Sequence, residues 1–307
     1  MIPTSEPRWP NLFVLGVAKA GTTSLASYLE QHPEIYFSPV KEPHYFSRVR
    51  PAPHLAFLYP HVEDRERYLE LFRAAGDHRW VGEASTSYFW DGDALGRIRR
   101  VSPESRHLVV LRHPVERAYS HYLNMVREGE ETRAFGEAVD DELELAGRPQ
   151  AWGVDSLYLD SGLYARRLEH AFETLGRDRL RVLVFEEMVS TPREHLREIF
   201  DDLEIDPAPA DSIRLDVLNP YARPRGPVAR RLLGSARARG VGRLLFRPKA
   251  RQVLRRLLMK RAPKPAMPAA ERRRLEDHYR DDVAACERIL GRALPWRLGD
   301  AAPEPGG

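Results

Sequence analysis

Apolar residues in this chain gather in short, unbroken runs that end at glycine, proline or a charge. Asn11–Val17 (NLFVLGV) predicts a buried strand, and the turn Ala18–Gly21 leads into a helix over Thr22–Gln31 with Leu25 and Leu29 on one face. His32-Pro33 ends that helix. Ile35–Phe37 predicts a second strand, followed by a proline-bounded loop over Ser38–Ser47. Trp80–Glu83, His107–Leu111 (HLVVL) and Leu180–Phe185 (LRVLVF) read as further strands. The HLVVL strand runs through Arg112-His113-Pro114 into a helix ending near Arg127, and the LRVLVF strand precedes a helix over Thr191–Leu203. Because these strands do not alternate polar with apolar residues, both of their faces are buried. Strands of that kind separated by helices predict an α/β fold, a parallel sheet flanked by helices. The C-terminal third reads as a helical extension broken at Arg-Pro and Lys-Pro pairs. One domain is expected over 1–299, with a disordered tail over 300–307.

Composition sharpens this picture in two places. The chain has 307 residues and a formal net charge of +3, an ordinary globular composition. Between Val217 and Ala270, however, stand 15 Arg or Lys residues and no Asp or Glu, so the rest of the chain is acidic. Of the 48 basic residues only five are lysine, and only Lys19 and Lys41 fall in the first 248 positions. The single cysteine, Cys286, offers no internal disulfide. No apolar run approaches the roughly 18–20 residues that span a bilayer, and the N-terminus lacks the layout of a signal peptide. A cytoplasmic location is the expectation. The eleven histidines show no metal-cage spacing, so no metal is predicted.

The chemistry starts at Gly16-Val17-Ala18-Lys19-Ala20-Gly21-Thr22-Thr23-Ser24. Between a strand and a helix, this stretch sits where a phosphate-binding loop belongs, with amides and a helix N-terminus facing an anion. A magnesium-dependent kinase loop places lysine directly after its second glycine. Here Thr22 takes that position and Lys19 lies earlier. The HLVVL strand ends in Arg112 where an aspartate would hold magnesium. A cation there suits a second anion instead. The fold class therefore becomes a P-loop-type α/β fold with a basic helical C-terminal extension.

The segments GVAKAGTTSL, VKEPHYF and LVVLRHPVERAYSHY, in that order, resemble the PAPS-dependent sulfotransferases, nearest to the heparan-sulfate-type (N- and 3-O-) branch and its bacterial relatives. The resemblance implies 3′-phosphoadenylyl sulfate (PAPS) as donor and PAP as product. It assigns Lys19, Ala20, Gly21, Thr22, Thr23 and Ser24 to the 5′-phosphosulfate, and Arg112 with Ser120 to the 3′-phosphate. Arg223 and Arg225, in a late loop, are further candidates for that phosphate. The resemblance implies Glu42 as catalytic base and His44 as an acceptor-side or supporting residue; Lys19 is placed to stabilise the leaving phosphate, and Lys41 could orient the sulfuryl group or ion-pair with a carboxylate. Ser47 stands where some relatives carry an aspartate behind that histidine.

Glu83, Ser85 and Tyr88, after the Trp80 strand, are candidates for acceptor binding. Ala84 replaces a lysine that animal heparan sulfotransferases use, which favours a less anionic acceptor: a carbohydrate, glycolipid or glycosylated metabolite bearing a hydroxyl. Glu186 and Glu187 read as caps of the helix they begin. The arginine–leucine pattern over 228–260 could meet an anionic membrane or pack on the acidic body. No nucleic-acid motif accompanies it, so no such partner is expected. Two rivals stand beside the sulfotransferase reading: a P-loop small-molecule kinase, and a peripheral lipid- or polyanion-binding protein.

Overall fold

The computed structural model describes residues 8–50, 61–128, 130–145, 157–216, 222–226 and 259–299. Five strands form a wholly parallel sheet: β1 (Leu12–Gly16), β2 (Ile35–Phe37), β3 (Trp80–Ala84), β4 (Arg106–Leu111) and β5 (Leu180–Val184), in the order β2-β3-β1-β4-β5. Each strand predicted from the sequence is present within a residue or two. The central strand shows why: Leu12, Phe13, Val14 and Leu15 are wholly buried, with helices on both faces. Burial of that kind is worth about 1.5–3 kcal/mol per large side chain before entropy is counted. Gly82 fits because a Cβ there would meet the Phe37 ring at 2.9 Å.

The helices are α1 (Thr22–Leu29), α2 (Arg65–Glu70), α3 (Ser87–Trp90), α4 (Gly92–Val101), α5 (Pro114–Glu128), α6 (Phe135–Leu145), α7 (Ala165–Leu175), α8 (Phe185–Ser190), α9 (Pro192–Asp202) and α10 (Ala269–Leu290). Pro114 opens α5, where a missing N–H costs nothing. Gly291, at φ 68°, closes α10. Leu275, Tyr279, Val283 and Cys286 form the buried stripe of α10, which packs on α7 and α5.

The chain passes from β1 to the edge at β2, returns to β3, then crosses to β4 on the other side of β1. In open parallel sheets a ligand crevice lies outside the strand C-termini where the order reverses in this way. All five strand ends point there.

A short antiparallel ribbon joins β6 (Ala222–Pro224) to β7 (Met259–Arg261), with Arg223 opposite Lys260. It packs on α5. Beyond β7, Lys264 and Arg272 both pair with Glu116, and the Tyr119 hydroxyl donates to the Ala266 carbonyl (3.1 Å). The chain after the basic segment thus returns along α5. Of the 228–260 stretch, whose arginine–leucine pattern suits an anionic membrane or packing on the acidic body, residues 228–258 lie outside the described residues, as does the tail over 300–307. No described helix is long and apolar enough to cross a membrane.

Candidate active site

Residues from every strand end meet at one cavity of about 420 Å³. After β1 come Ala18, Lys19 and Gly21 to Ser24; after β2, Lys41 and Glu42; after β3, Thr86; after β4, Arg112; after β5, Phe185. Helix α5 adds Ser120, His121, Asn124, Arg127 and Glu128, spaced three and four residues apart so that they share one face.

In the β1–α1 loop, Lys19 and Gly21 to Ser24 line the cavity and Ala20 does not. Gly21 adopts φ 83°, and a Cβ there would press within 3.0 Å of the Phe185 ring. Leu25 N–H donates to the Gly21 carbonyl (3.0 Å), so the amides of residues 22–24 precede the helix's own hydrogen-bond ladder. Ala20 is the exception. Its side chain is buried and its N–H donates to the Val17 carbonyl (3.2 Å). That amide is spent on the turn, and Ala18 lines the cavity instead.

Lys19 sits at φ 72°, a left-handed conformation that few non-glycine residues adopt. Its Nζ donates to Asn124 Oδ1 (3.1 Å), an oxygen that also takes a hydrogen bond from Arg127 (2.6 Å). Burial, with repulsion from Arg127 and Lys41, lowers the Lys19 pKa to about 8, against the raising effect of Glu42. Such a group gains from an anion that would restore its usual basicity.

Arg112 donates to the Lys19 carbonyl (2.7 Å) and lies over the Phe185 ring, 4.6 Å from its centroid. Its Nε is buried without a partner. A guanidinium left partly unsatisfied beside the Ser120 hydroxyl is equipped to take a phosphate.

Across the cavity, Glu42 and His44 both hold positive φ, 50° and 53°. Such strain costs about 1–3 kcal/mol per residue and persists only where neighbours impose it. Glu42 Oε1 lies 3.4 Å from Lys41 Nζ, and Oε2 lies 3.4 Å from His44 Nε2. Burial pushes the Glu42 carboxyl up, but His44 and the Lys41 ammonium outweigh it and hold its pKa at about 2. The group is therefore an ionised, acceptor-only carboxylate at neutral pH. His44 is buried and stands behind Glu42 rather than on the cavity wall. Its Nδ1 meets Ser87 Oγ at 2.7 Å. Ser47 does not support it; that hydroxyl donates to Asp91 (3.2 Å).

The structure does not bring Glu83, Ser85 and Tyr88 to the cavity wall. All three are wholly buried under the Glu42 loop, where Ser85 and Tyr88 donate to Glu83 at 2.6 Å each. Glu83 lies on a strand buried on both faces, where polarity alone does not tell which way a side chain points, and Ser85 and Tyr88 follow it past the strand end and turn inward onto it. Glu186 likewise caps no helix of its own. It accepts from the His113 N–H (3.1 Å) and the Trp296 indole N–H (2.9 Å), while Glu187 pairs with Arg292 (2.7 Å). Arg225 is exposed just past β6, and the ribbon places Arg223 by its backbone alone. Sequence reasoning missed His121, Asn124, Arg127 and Ser87. The polar i, i+4, i+7 spacing of 120, 124 and 127 on a helix already carrying a predicted ligand was the available signal.

A parallel α/β sheet whose strand ends bring two groups of cations and polar side chains to one cavity with a facing carboxylate places the chain among α/β folds with a crevice at the strand C-termini. The Sulfotransferase family model matches residues 38–209, more than half of the chain, and the protein belongs to that family. Carbohydrate sulfotransferase 15 of Rattus norvegicus is 29% identical over 276 residues, covering 73% of this chain and 48% of that protein. The heparan sulfate glucosamine 3-O-sulfotransferase 6 of Homo sapiens is 25% identical over 290 residues, 94% of this chain and 74% of that one. The chain spans about half the length of the carbohydrate sulfotransferase it matches. A crystal structure of a sulfotransferase from Alicyclobacillus acidocaldarius superposes with a TM-score of 0.70 at 27% identity, covering 93% of this chain and 97% of that one.

Proposed function

We propose that the protein transfers a sulfuryl group from PAPS to a hydroxyl or amine of a carbohydrate, glycolipid or glycosylated metabolite. The observation that carries this reading is a single cavity holding Lys19 and Glu42 on facing loops, with Arg112 and Ser120 beside them. PAPS supplies an activated sulfuryl group on a phosphate leaving group and a second, separate phosphate. The cavity fits both: Lys19 with the amides of 22–24 for one anion, and Arg112, with its orphaned Nε, and Ser120 for the other.

Each residue then has a definable task. Lys19 holds positive charge where charge develops on the leaving phosphate. Glu42 accepts the acceptor's proton. A carboxylate this acidic is a weak base at rest, but a hydroxyl grows acidic as its oxygen bonds to sulfur, so the transfer comes late. Lys41, 59% exposed at the mouth, orients the incoming groups.

The acceptor side also bears on substrate class. Its cations are already matched: Lys41 by Glu42 (3.4 Å), and Arg127 by Glu128 (3.1 Å). Once Lys19 and Arg112 serve the donor, the described residues that line the cavity leave no further cation without a carboxylate beside it. With Ala84 in place of a lysine, this favours a neutral sugar hydroxyl over a heavily sulfated chain.

Titration calorimetry without magnesium tests the donor site. PAP binds at micromolar Kd, and Arg112→Ala weakens it about 10- to 100-fold through loss of a charge-assisted contact. Magnesium-dependent ATP binding with no PAP binding would favour the kinase rival. The pH dependence follows from Lys19. Free Lys19 loses its proton near pH 8, and the bound dianion holds that proton on. Affinity is therefore flat between about pH 7 and 7.5 and falls at higher pH, by at most about tenfold per pH unit for one proton. The fall is absent in Lys19→Arg, whose guanidinium stays charged.

A further inference from the structure

Beneath the loop that carries Glu42 lies a polar assembly that touches neither cavity nor solvent. Glu83, on β3 beside Phe13 of β1, is wholly buried and accepts three hydroxyls at 2.6 Å: Tyr68 and Tyr88 on Oε1, Ser85 on Oε2. Each of those hydroxyl-bearing residues holds a different member of the loop. Ser85 Oγ accepts the His44 backbone N–H (3.0 Å). The Tyr68 ring stacks on Tyr45 with centroids 4.1 Å apart. Tyr88 Oη accepts the Phe46 N–H (3.3 Å). Residues 44, 45 and 46 are thus each one intermediary away from a single carboxylate.

The same loop contains the two positive-φ residues Glu42 and His44. Strained backbone of this kind relaxes unless its surroundings over-determine it. A buried carboxylate is costly unless its oxygens are saturated by donors. Glu83 satisfies that condition, and in doing so fixes the direction of all three hydroxyls. Apolar residues of similar volume would fill the space without directing anything.

We propose that Glu83, acting through Ser85, Tyr68 and Tyr88, is a positioning residue for catalysis: it locks the strained turn that presents the Glu42 carboxylate to the acceptor. The proposal rests on the reading of Glu42 as base. It predicts a division of labour: the donor cradle, on the β1–α1 loop, the β4–α5 turn and α5, does not depend on Glu83, whereas the geometry of the base does. Misplacement by a fraction of an ångström suffices to lower turnover.

The test uses Glu83→Gln and Ser85→Ala in the full chain, with PAP affinity by calorimetry and steady-state sulfuryl transfer from PAPS. The expected result is a kcat about tenfold or more below wild type for both variants, with PAP Kd and the KM for PAPS within about twofold. The acid limb of the kcat–pH profile moves to higher pH, because Glu42 loses the His44 contact that holds it low. Should Glu83→Gln not fold, Ser85→Ala, which deletes one hydroxyl, decides. Wild-type kcat with an unmoved acid limb would overturn the proposal. So would a parallel loss of PAP affinity and kcat, which marks a role in general folding. A wild-type protein that binds no PAP would instead sink the functional reading itself.

Discussion

Glu42→Gln binds PAP with wild-type affinity and turns over about 10²- to 10⁴-fold more slowly. The substitution keeps the size and the Lys41 and His44 neighbours while removing the negative charge and the capacity to take a proton. Two features make the loss large. Glu42 is the one carboxylate on the loop side of the cavity among the described residues, while Glu128 on α5 is committed to Arg127. It is also held ionised, near pKa 2, by His44 and Lys41 acting against burial. Measuring kcat and PAP Kd on the same preparation checks the prediction. A Glu42→Gln enzyme with kcat near wild type would remove Glu42 from the chemistry.

Lys19→Ala has the second large effect, and it falls on both parameters. Lys19 closes the donor loop and faces Arg127 through Asn124, so its removal weakens PAP about 10- to 100-fold and lowers kcat further. Lys19→Arg separates charge from shape. The backbone at φ 72° leaves the side chain a fixed starting direction, and a forked guanidinium must then enter space shared with Arg127. We expect PAP affinity to recover in part and kcat to stay at least about tenfold low, because a planar fork does not place its charge where a compact ammonium does. Assaying both variants by calorimetry and product formation separates the two contributions. Wild-type kcat in Lys19→Arg would show that charge alone suffices.

Much of the fold was legible because its decisive elements are buried on both faces. NLFVLG and HLVVL read as interior strands, while LRVLV forms the sheet edge with Arg181 and Val182 only partly buried; the parallel arrangement follows from the helices between them. Phe185 was not legible as a helix start: α8 begins directly after β5, without a cap or break residue. The part of the cavity proposed for the donor is legible because its residues lie within contiguous motifs. The acceptor half was less so. Its geometry depends on contacts between segments, such as Ser87 reaching His44 or Asn124 reaching Lys19, which are 43 and 105 residues apart. Glu83, Ser85 and Tyr88 stand out in the sequence as a polar group, but they face the interior and not the cavity. Periodicity shows that a strand is buried, not what lies against each side. The basic stretch from Val217 to Ala270 is described at its ribbon and at the part that returns along α5, where Lys264 meets Glu116 (2.8 Å).

Sulfuryl transfer by this protein requires the donor and the base to act together in one cavity. The direct measurement incubates wild-type and Glu42→Gln protein with labelled PAPS, without magnesium, over neutral glycosides, glycolipids and heparosan-like chains. PAP and sulfated product are quantified together. The account predicts equal amounts of PAP and a sulfated neutral acceptor from wild type, and loss of both from Glu42→Gln with PAP binding intact. PAP release that ignores the acceptor, or transfer that survives Glu42→Gln, would contradict it.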